Sequence, residues 1–113
     1  MPTANMLDMF HGDNNERIPD FAALKAQGYK LVMHKVTEGA SYRDGRFAER
    51  FKAAIAAGMP FGAYHFGTNE PVNDQITNLY NALAVVGATP KFLALDYEKR
   101  PPHTMSLNGA MAF

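Results

Sequence analysis

The sequence predicts an α/β fold in which parallel strands alternate with helices, as in a (βα) barrel, with about four βα units present. Four short apolar segments begin at Met6, Leu31, Phe61 and Phe92, and these starts are 25, 30 and 31 residues apart. Segments with helical periodicity lie between them, and this alternation is typical of a parallel sheet with crossover helices. The length fits a single domain, residues 1–113, and the pattern predicts a partial TIM-like barrel.

The four apolar segments have the length of strands and are bounded by turn residues. They comprise Met6–Phe10, Leu31–Val36, Phe61–Phe66 and Phe92–Leu95. Short continuous apolar runs of this kind are typical of strands buried in a parallel sheet. No GxGxxG motif follows the first segment, and no GxxxxGK[ST] motif occurs in the chain. The sequence therefore favours a barrel-type sheet over an open nucleotide-binding sheet.

Helical periodicity predicts a helix after each strand. The predicted helices cover residues 19–28, 44–58 and 71–87, and a fourth begins at Thr104 or Ser106. Asp44 is placed to cap the second helix, and Pro60 follows its end at Gly58. Each helix thus has start or stop signals of the expected kind.

Composition excludes several classes of function. Eleven Lys and Arg residues balance eleven Asp and Glu residues, so the formal net charge is zero, unlike that of a dedicated nucleic-acid binder. The absence of cysteine excludes a disulfide scaffold, a thiolate zinc site and a cysteine nucleophile. No apolar run is long enough to cross a membrane, and the first residues do not resemble a signal peptide. We therefore expect no nucleic-acid partner and no membrane partner.

Acidic side chains follow the predicted strands, where function gathers in parallel α/β folds. The polar and aromatic residues at these strand ends are Asp8, Glu38, Tyr64, His65, Phe66, Asp96 and Glu98. Residues two apart on an extended strand point to the same face, so we expect Asp96 and Glu98 to project together. Leu93 and Leu95 would then face the covering helices.

The acidic strand ends allow more than one interpretation. Carboxyl groups packed closely cannot all ionise, so one of them keeps a raised pKa. A protonated carboxylic acid beside an ionised one is the arrangement that cleaves a glycosidic bond. Two alternatives remain open: the acids cap helices or pair with Lys and Arg, or oxygen ligands together with His65 hold a divalent metal. His65 also fits a hydrogen-bonded group of the core.

Four segments carry motifs in the order and spacing of one known family. Lys35–Asp44 follows the pattern K-x-[ST]-E-G-x-x-[FYL]-x-[DN], and Gly58–Phe66 follows G-x-P-x-G-x-Y-H-F. Leu7–His11 is similar to an opening D-[VIL]-S-x segment, and Leu93–Glu98 resembles an L-x-D-x-E strand. Together they resemble the N-terminal half of the glycoside hydrolase family 25 lysozymes, the N-acetylmuramidases.

This resemblance implies an activity and a set of site residues. Members of the family hydrolyse the β-1,4 bond between N-acetylmuramic acid and N-acetylglucosamine in bacterial peptidoglycan, and they fold as an irregular barrel. By position, Glu98 is expected to be the general acid, Asp96 to stabilise positive charge at the anomeric centre, and Asp8 to be a third carboxylate. The residues expected to contact the sugar are Glu38, Tyr64, His65 and Phe66. The resemblance implies no metal and no organic cofactor.

The length of the chain affects which partners we expect it to need. Domains of this family are longer, so the resemblance implies that the later strands of the barrel are absent. A second copy, forming a homodimer, or the remaining part of a longer protein would close it. The alternative to an enzyme is a catalytically inactive glycan-binding module or a structural remnant. The expected partner is the glycan strand of peptidoglycan, reached extracellularly or from a phage.

Overall fold

The computed structural model describes residues 6–113, and a parallel sheet forms its centre. The strands are β1 (Met6–Met9), β2 (Leu31–Glu38), β3 (Tyr42–Arg43), β4 (Phe61–Phe66) and β5 (Leu93–Asp96). Four of them are parallel in the order β1-β2-β4-β5, and the two-residue β3 pairs antiparallel with the end of β2. The predicted parallel α/β architecture is therefore confirmed. β3 was not predicted, because a strand of two residues has no periodicity.

Four α-helices connect or follow these strands, as the periodicity predicts. They are α1 (Phe21–Ala26), α2 (Phe47–Ala56), α3 (Val72–Val86) and α4 (Leu107–Ala112), and a short 3₁₀ segment covers Asp13–Glu16. Ser106 caps α4 by accepting a hydrogen bond from the Gly109 N–H. α3 ends at Gly87, which has the left-handed conformation with φ of 70° that favours glycine.

Two predicted helix starts differ from the structure. α1 begins at Phe21, because the side chain of Asp20 caps it by accepting from the backbone N–H of Ala23. Asp44 does not cap α2. Its carboxylate accepts the backbone N–H groups of Arg46 and His11, at 2.8 Å each, and so joins the loop after β1 to the turn before α2.

The hydrophobic core lies between one face of the sheet and the helices α1, α2 and α3. Its members include Met9, Phe21, Val32, Val36, Phe47, Phe51, Ala54, Phe61, Ala63, Leu79 and Leu83. Alternate residues of β2 and β4 supply this face, as expected for strands with one side against helices. Burial of these large side chains is the main force that holds the helices on the sheet.

The opposite face of the sheet is an open groove. Within residues 6–113 the sheet does not close on itself, and β1 and β5 form its two edges. Gly62 permits the groove floor to be flat, because a Cβ at this position would meet the sulfur of Met33. The predicted cover for Leu93 is incomplete, since 51% of this residue is exposed. The polar residues of interest lie at the carboxyl end of this groove.

Candidate active site

Two carboxylic acids from opposite edges of the sheet line the groove, and a third is near enough to influence the pKa of both. Asp8 lies on β1, Asp96 is the last residue of β5, and Glu98 follows in the loop. Tyr64 on β4 lies between them, and the nearby charges of Asp8 and then Asp96 add to the effect of burial in raising its pKa. Asp96 and Glu98 therefore lie close together, as their i, i+2 spacing predicts, and the catalytic roles of the three acids stay predictions.

Asp96 has the most perturbed carboxyl group of this cluster. Burial, the charge of Glu98, a hydrogen bond with Glu98 and the charge of Asp8 raise the pKa of Asp96 to about 6, whereas Lys35 acts in the opposite direction. Asp96 therefore holds a proton more tightly than an isolated carboxyl group. A carboxyl group with a raised pKa beside a second carboxyl group is an arrangement used in acid catalysis of glycoside cleavage.

Asp8 belongs to the same electrostatic cluster. Burial and the charge of Asp13 raise the pKa of Asp8, a hydrogen bond from the Tyr64 hydroxyl lowers it, and Glu98 raises it further. The net shift is upward. Since Asp8 responds to Glu98 and Asp96 responds to Asp8, the three acids form one cluster rather than separate pairs.

The groove beneath these acids is large and mainly apolar. It has a volume of about 430 Å³ and is lined by Met6, Asp8, Leu31, Met33, Tyr64, Phe92, Ala94, Leu95 and Asp96. The polar groups are concentrated at one end, and the apolar side chains form the floor. This combination of an apolar surface with a few convergent polar groups is typical of a ligand site.

Glu38 lies at the same edge of the sheet but in an ion-pair network. The ammonium group of Lys35 donates to Glu38 Oε1, and Arg100 Nη1 lies 2.8 Å from Glu38 Oε2. Partial burial alone would raise the pKa of Glu38, but Lys35 and then Arg100 outweigh burial and lower it. Phe66 lies beneath both cations, with Lys35 Nζ at 5.2 Å and the Arg100 guanidinium carbon at 5.3 Å from its ring centre.

His65 does not reach the groove and is a correction to the sequence-based site. It has no exposed surface and lies on the helix-covered face of the sheet. Its Nε2 donates to Gln75 Oε1 at 2.9 Å, its Nδ1 contacts the Thr37 hydroxyl at 2.6 Å, and its ring stacks on Phe113. These contacts match the alternative interpretation of His65 as a hydrogen-bonded core residue. Its burial lowers its pKa, which keeps the ring neutral.

The metal interpretation finds no support in the geometry. Among residues 6–113, no group of three or more Asp, Glu and His side chains is arranged so that it could hold a metal ion. In the same range, no helix is both long enough and apolar enough to span a membrane.

Sequence reasoning missed two cationic residues at this site. Lys35 lies inside the Lys35–Asp44 motif, which by itself assigns it no role, and Arg100 lies outside the four motif segments. One signal was present for each, since Lys35 precedes Glu38 by three residues and Arg100 follows Glu98 by two. Their meeting at one carboxylate depends on a strand irregularity and a loop conformation, neither of which follows from local periodicity.

Comparison with protein families gives one match that covers nearly the whole chain. The model for "Glycosyl hydrolases family 25" matches residues 7–112. An autolytic lysozyme from Clostridium acetobutylicum is 32% identical over 93 residues, which cover 81% of this chain and 27% of the relative. Lysozyme M1 from Streptomyces globisporus is 38% identical over 47 residues, or 42% of this chain and 16% of the relative.

Solved structures show the same similarity. The CTP1L endolysin superposes with a TM-score of 0.72 at 26% identity, covering 84% of this chain and 34% of that chain. A bacterial lysozyme from Streptomyces coelicolor superposes with a TM-score of 0.68 at 27% identity, covering 92% of this chain and 49% of that chain. The chain therefore spans only part of the length of the relatives that it matches.

Proposed function

The chain belongs to glycosyl hydrolases family 25, and on this basis we propose that it carries the acid cluster of a muramidase that hydrolyses the β-1,4 bond between N-acetylmuramic acid and N-acetylglucosamine. The relatives named as lysozymes and endolysins support this substrate class. The glycan strand of bacterial peptidoglycan is then the partner of the groove. Action on that partner takes place outside the cell or on release from a phage.

Glu98 is the proposed general acid. It follows Asp96 by two residues, and its charge is one of the causes, after burial, of the raised pKa of Asp96. Glu98 would protonate the glycosidic oxygen as the bond breaks, and ionised Asp96 would stabilise the positive charge that develops at the anomeric carbon. Asp96 would also orient the acetamido group of the substrate, if that group acts as the internal nucleophile.

The remaining site residues have supporting roles in this proposal. Asp8 is the third carboxylate on the groove floor, and Tyr64, hydrogen-bonded to Asp8, would contact the sugar. Phe66 borders the same end of the groove. His65 is not included, because the helix-covered face buries it completely.

A single observation carries this proposal: Asp8 and Asp96 line the groove, Glu98 follows Asp96 by two residues, and burial together with the charge of Glu98 raises the pKa of Asp96 to about 6. Acid-catalysed cleavage of a glycosidic bond needs one protonated carboxyl group and one ionised carboxyl group. Neither helix capping nor simple pairing with Lys or Arg would raise this pKa, because a positive partner lowers it.

The test is the release of reducing ends from purified peptidoglycan by the wild-type protein and by Glu98→Gln. Loss of a general acid is expected to lower the rate by about 10²- to 10⁴-fold. Glu49→Gln, which removes an exposed carboxylate of α2, serves as the matched control and should keep the wild-type rate. Equal rates for wild type and Glu98→Gln would contradict the proposed role of Glu98.

A second candidate function is glycan binding without turnover. The chain spans 27% of one relative and 34% of another, and β1 and β5 leave the groove open at both edges. In this case muropeptides would bind to the groove, but wild type would release no reducing ends. A homodimer or a further part of the protein that covers these edges would restore hydrolysis, and activity should then rise with protein concentration or on addition of that part.

A further inference from the structure

The loop that carries Glu98 has no regular secondary structure of its own. No helix or strand covers residues 97–103. Contacts with the end of β4 fix the two ends of this loop: Gly67 with Asp96, Asn69 with His103, and Thr68 with Thr104. Glu98 lies between these fixed ends, so its position depends on what holds the middle of the loop.

Arg100 holds the middle of the loop against β2 and β4. Its Nη1 lies 2.8 Å from Oε2 of Glu38, which is the last residue of β2. Its guanidinium group lies over the ring of Phe66, the last residue of β4, at 5.3 Å. An ion pair and a cation–π contact at two different strand ends fix the direction of the side chain as well as its distance.

Glu38 is held in turn by Lys35. The Lys35 ammonium group donates to Oε1 of Glu38, so each carboxylate oxygen has its own cation. These two cations lower the pKa of Glu38, which therefore stays ionised at the mildly acidic pH where a general acid works. Because both oxygens are occupied, the geometry does not favour Glu38 as a direct sugar contact.

We propose that Glu38 and Arg100 are positioning residues, whose ion pair holds the loop so that Glu98 stays beside Asp96. The catalytic consequence of this inference rests on the proposed function, but the arrangement itself does not need turnover. Hydrogen bonds from the Arg100 N–H to the Thr104 hydroxyl and from Asn69 to the Pro102 carbonyl remain when the ion pair is removed, but the loop loses the side-chain contact that holds it against the end of β2. Glu98 then spends less time next to Asp96.

Burial of Glu38, and not of Arg100, distinguishes this ion pair from an ordinary surface pair. Exposed pairs contribute little, because water screens them and two long side chains must be ordered. The side chain of Arg100 is 51% exposed, but its partner Glu38 is only 19% exposed and also binds Lys35, which is 12% exposed. The pair Arg46–Glu49 on α2 has a similar length, 2.9 Å, but its side chains are 40% and 45% exposed. It therefore provides a matched control outside the site.

The decisive experiment is an NMR titration of the carboxyl groups in wild type and Arg100→Gln. The charged groups that set the pKa of Asp96 are Glu98, Asp8 and Lys35. Loss of a cation by itself would raise the pKa of a nearby carboxyl group, whereas release of Glu98 would lower the pKa of Asp96. We expect the pKa of Asp96 to fall by about 0.5 or more. An unchanged or raised pKa in Arg100→Gln would overturn the proposal.

Four further variants sharpen this titration. Arg46→Gln should leave the pKa of Asp96 as in wild type, and Arg100→Lys, which keeps the charge, should retain most of the raised pKa. In Glu38→Gln the pKa of Asp96 should also fall, and the double substitution should add little to either single one. Fully additive effects would mean that Glu38 does not act through Arg100, and would contradict the proposal.

Kinetics provides a second readout that a purely structural role would not produce. Arg100→Gln is expected to lower kcat by about tenfold while KM stays within about twofold, because misplacement of the acid affects the chemical step. A raised KM with unchanged kcat would make these residues sugar contacts and would overturn the proposal. If wild type shows no hydrolysis, the proposed function fails on its own, and the titration still decides the positioning role.

Discussion

Lys35 and Glu38 point to the same face of the sheet, although they are three positions apart along β2. On a regular strand, residues three apart face opposite sides. Here β2 pairs Lys35 with Tyr64 and then Thr37 with His65 in β4, so Val36 is an extra residue. This bulge resets the alternation and brings the ammonium group and the carboxylate together at the groove.

The same bulge directs the neighbouring side chains of Thr37 and Glu38 to opposite faces of the sheet. Glu38 turns to the groove, while Thr37 turns to the helices and contacts Nδ1 of His65 at 2.6 Å. Gln75 of α3 accepts from Nε2 of His65 and from the N–H of Thr68, and donates to the carbonyl groups of Thr68 and Glu70. A buried polar network thus fixes the end of β4 from behind, and the groove side remains available to a ligand.

Gly39, directly after Glu38, offers the first prediction. Its φ is +59°, and an added Cβ would meet Oε1 of Glu70, which accepts hydrogen bonds from Ala40 N–H and from the Thr68 hydroxyl. Gly39→Ala therefore combines backbone strain with displacement of Glu70. We expect a loss of about 1–3 kcal/mol in the free energy of unfolding, measured by urea denaturation.

Two other glycines separate these effects. Gly87 has a φ of +70° but open space around it, so Gly87→Ala should show the strain alone, about 1 kcal/mol. Gly45 has neither a positive φ nor a neighbour within 4 Å, so Gly45→Ala should be close to neutral. If Gly39→Ala loses no more stability than Gly87→Ala, the Glu70 contact contributes nothing.

Local patterns predicted the elements of this fold well, and they predicted the site only in part. The position of Asp8 and Asp96 on the groove side of the sheet could be predicted, because strand ends and alternation follow from periodicity. The same alternation places His65 opposite Tyr64, so its burial could have been predicted from the sequence. The Glu38–Arg100 contact could not, because it joins two strand ends through a bulge and an irregular loop.

Arg50 offers a second prediction, since it is a fully buried cation that organises the loop after β1. Its guanidinium group donates to the backbone carbonyl groups of Phe10, His11, Asp13 and Arg17. It also donates to Nε2 of His34. Arg50→Met would leave these acceptors without their donor. We expect a loss of about 3 kcal/mol in the free energy of unfolding and faster hydrogen exchange in residues 10–17.

Arg46 on the same helix is the control for this substitution. Its guanidinium group pairs only with Glu49 at the surface among the residues that the structure describes, so Arg46→Met should change stability by less than about 0.5 kcal/mol. Similar losses in both variants would show that the buried contacts of Arg50 do not hold the loop.

Asp96 offers a third prediction, which concerns stability as a function of pH. Its pKa is about 6 in the folded protein, against an ordinary value of 3.8, so the folded state binds this proton more tightly than the unfolded state. The resulting stabilisation is complete below pH 3.8 and is lost as the pH rises to about 6. Asp96→Asn avoids this loss and should be more stable than wild type at pH 7 by about 1 kcal/mol, after allowance for screening.

Urea denaturation of both proteins between pH 4 and 7.5 measures this difference as a function of pH. His34 and His65 also have shifted pKa values, but they are common to both proteins and largely cancel in the comparison. The expected gain at pH 7 accompanies a loss of hydrolysis, because the charge that destabilises the fold is the one proposed to stabilise the transition state. If the stability difference between wild type and Asp96→Asn does not vary with pH, the gain comes from the shape of the side chain. That result would contradict the raised pKa of Asp96.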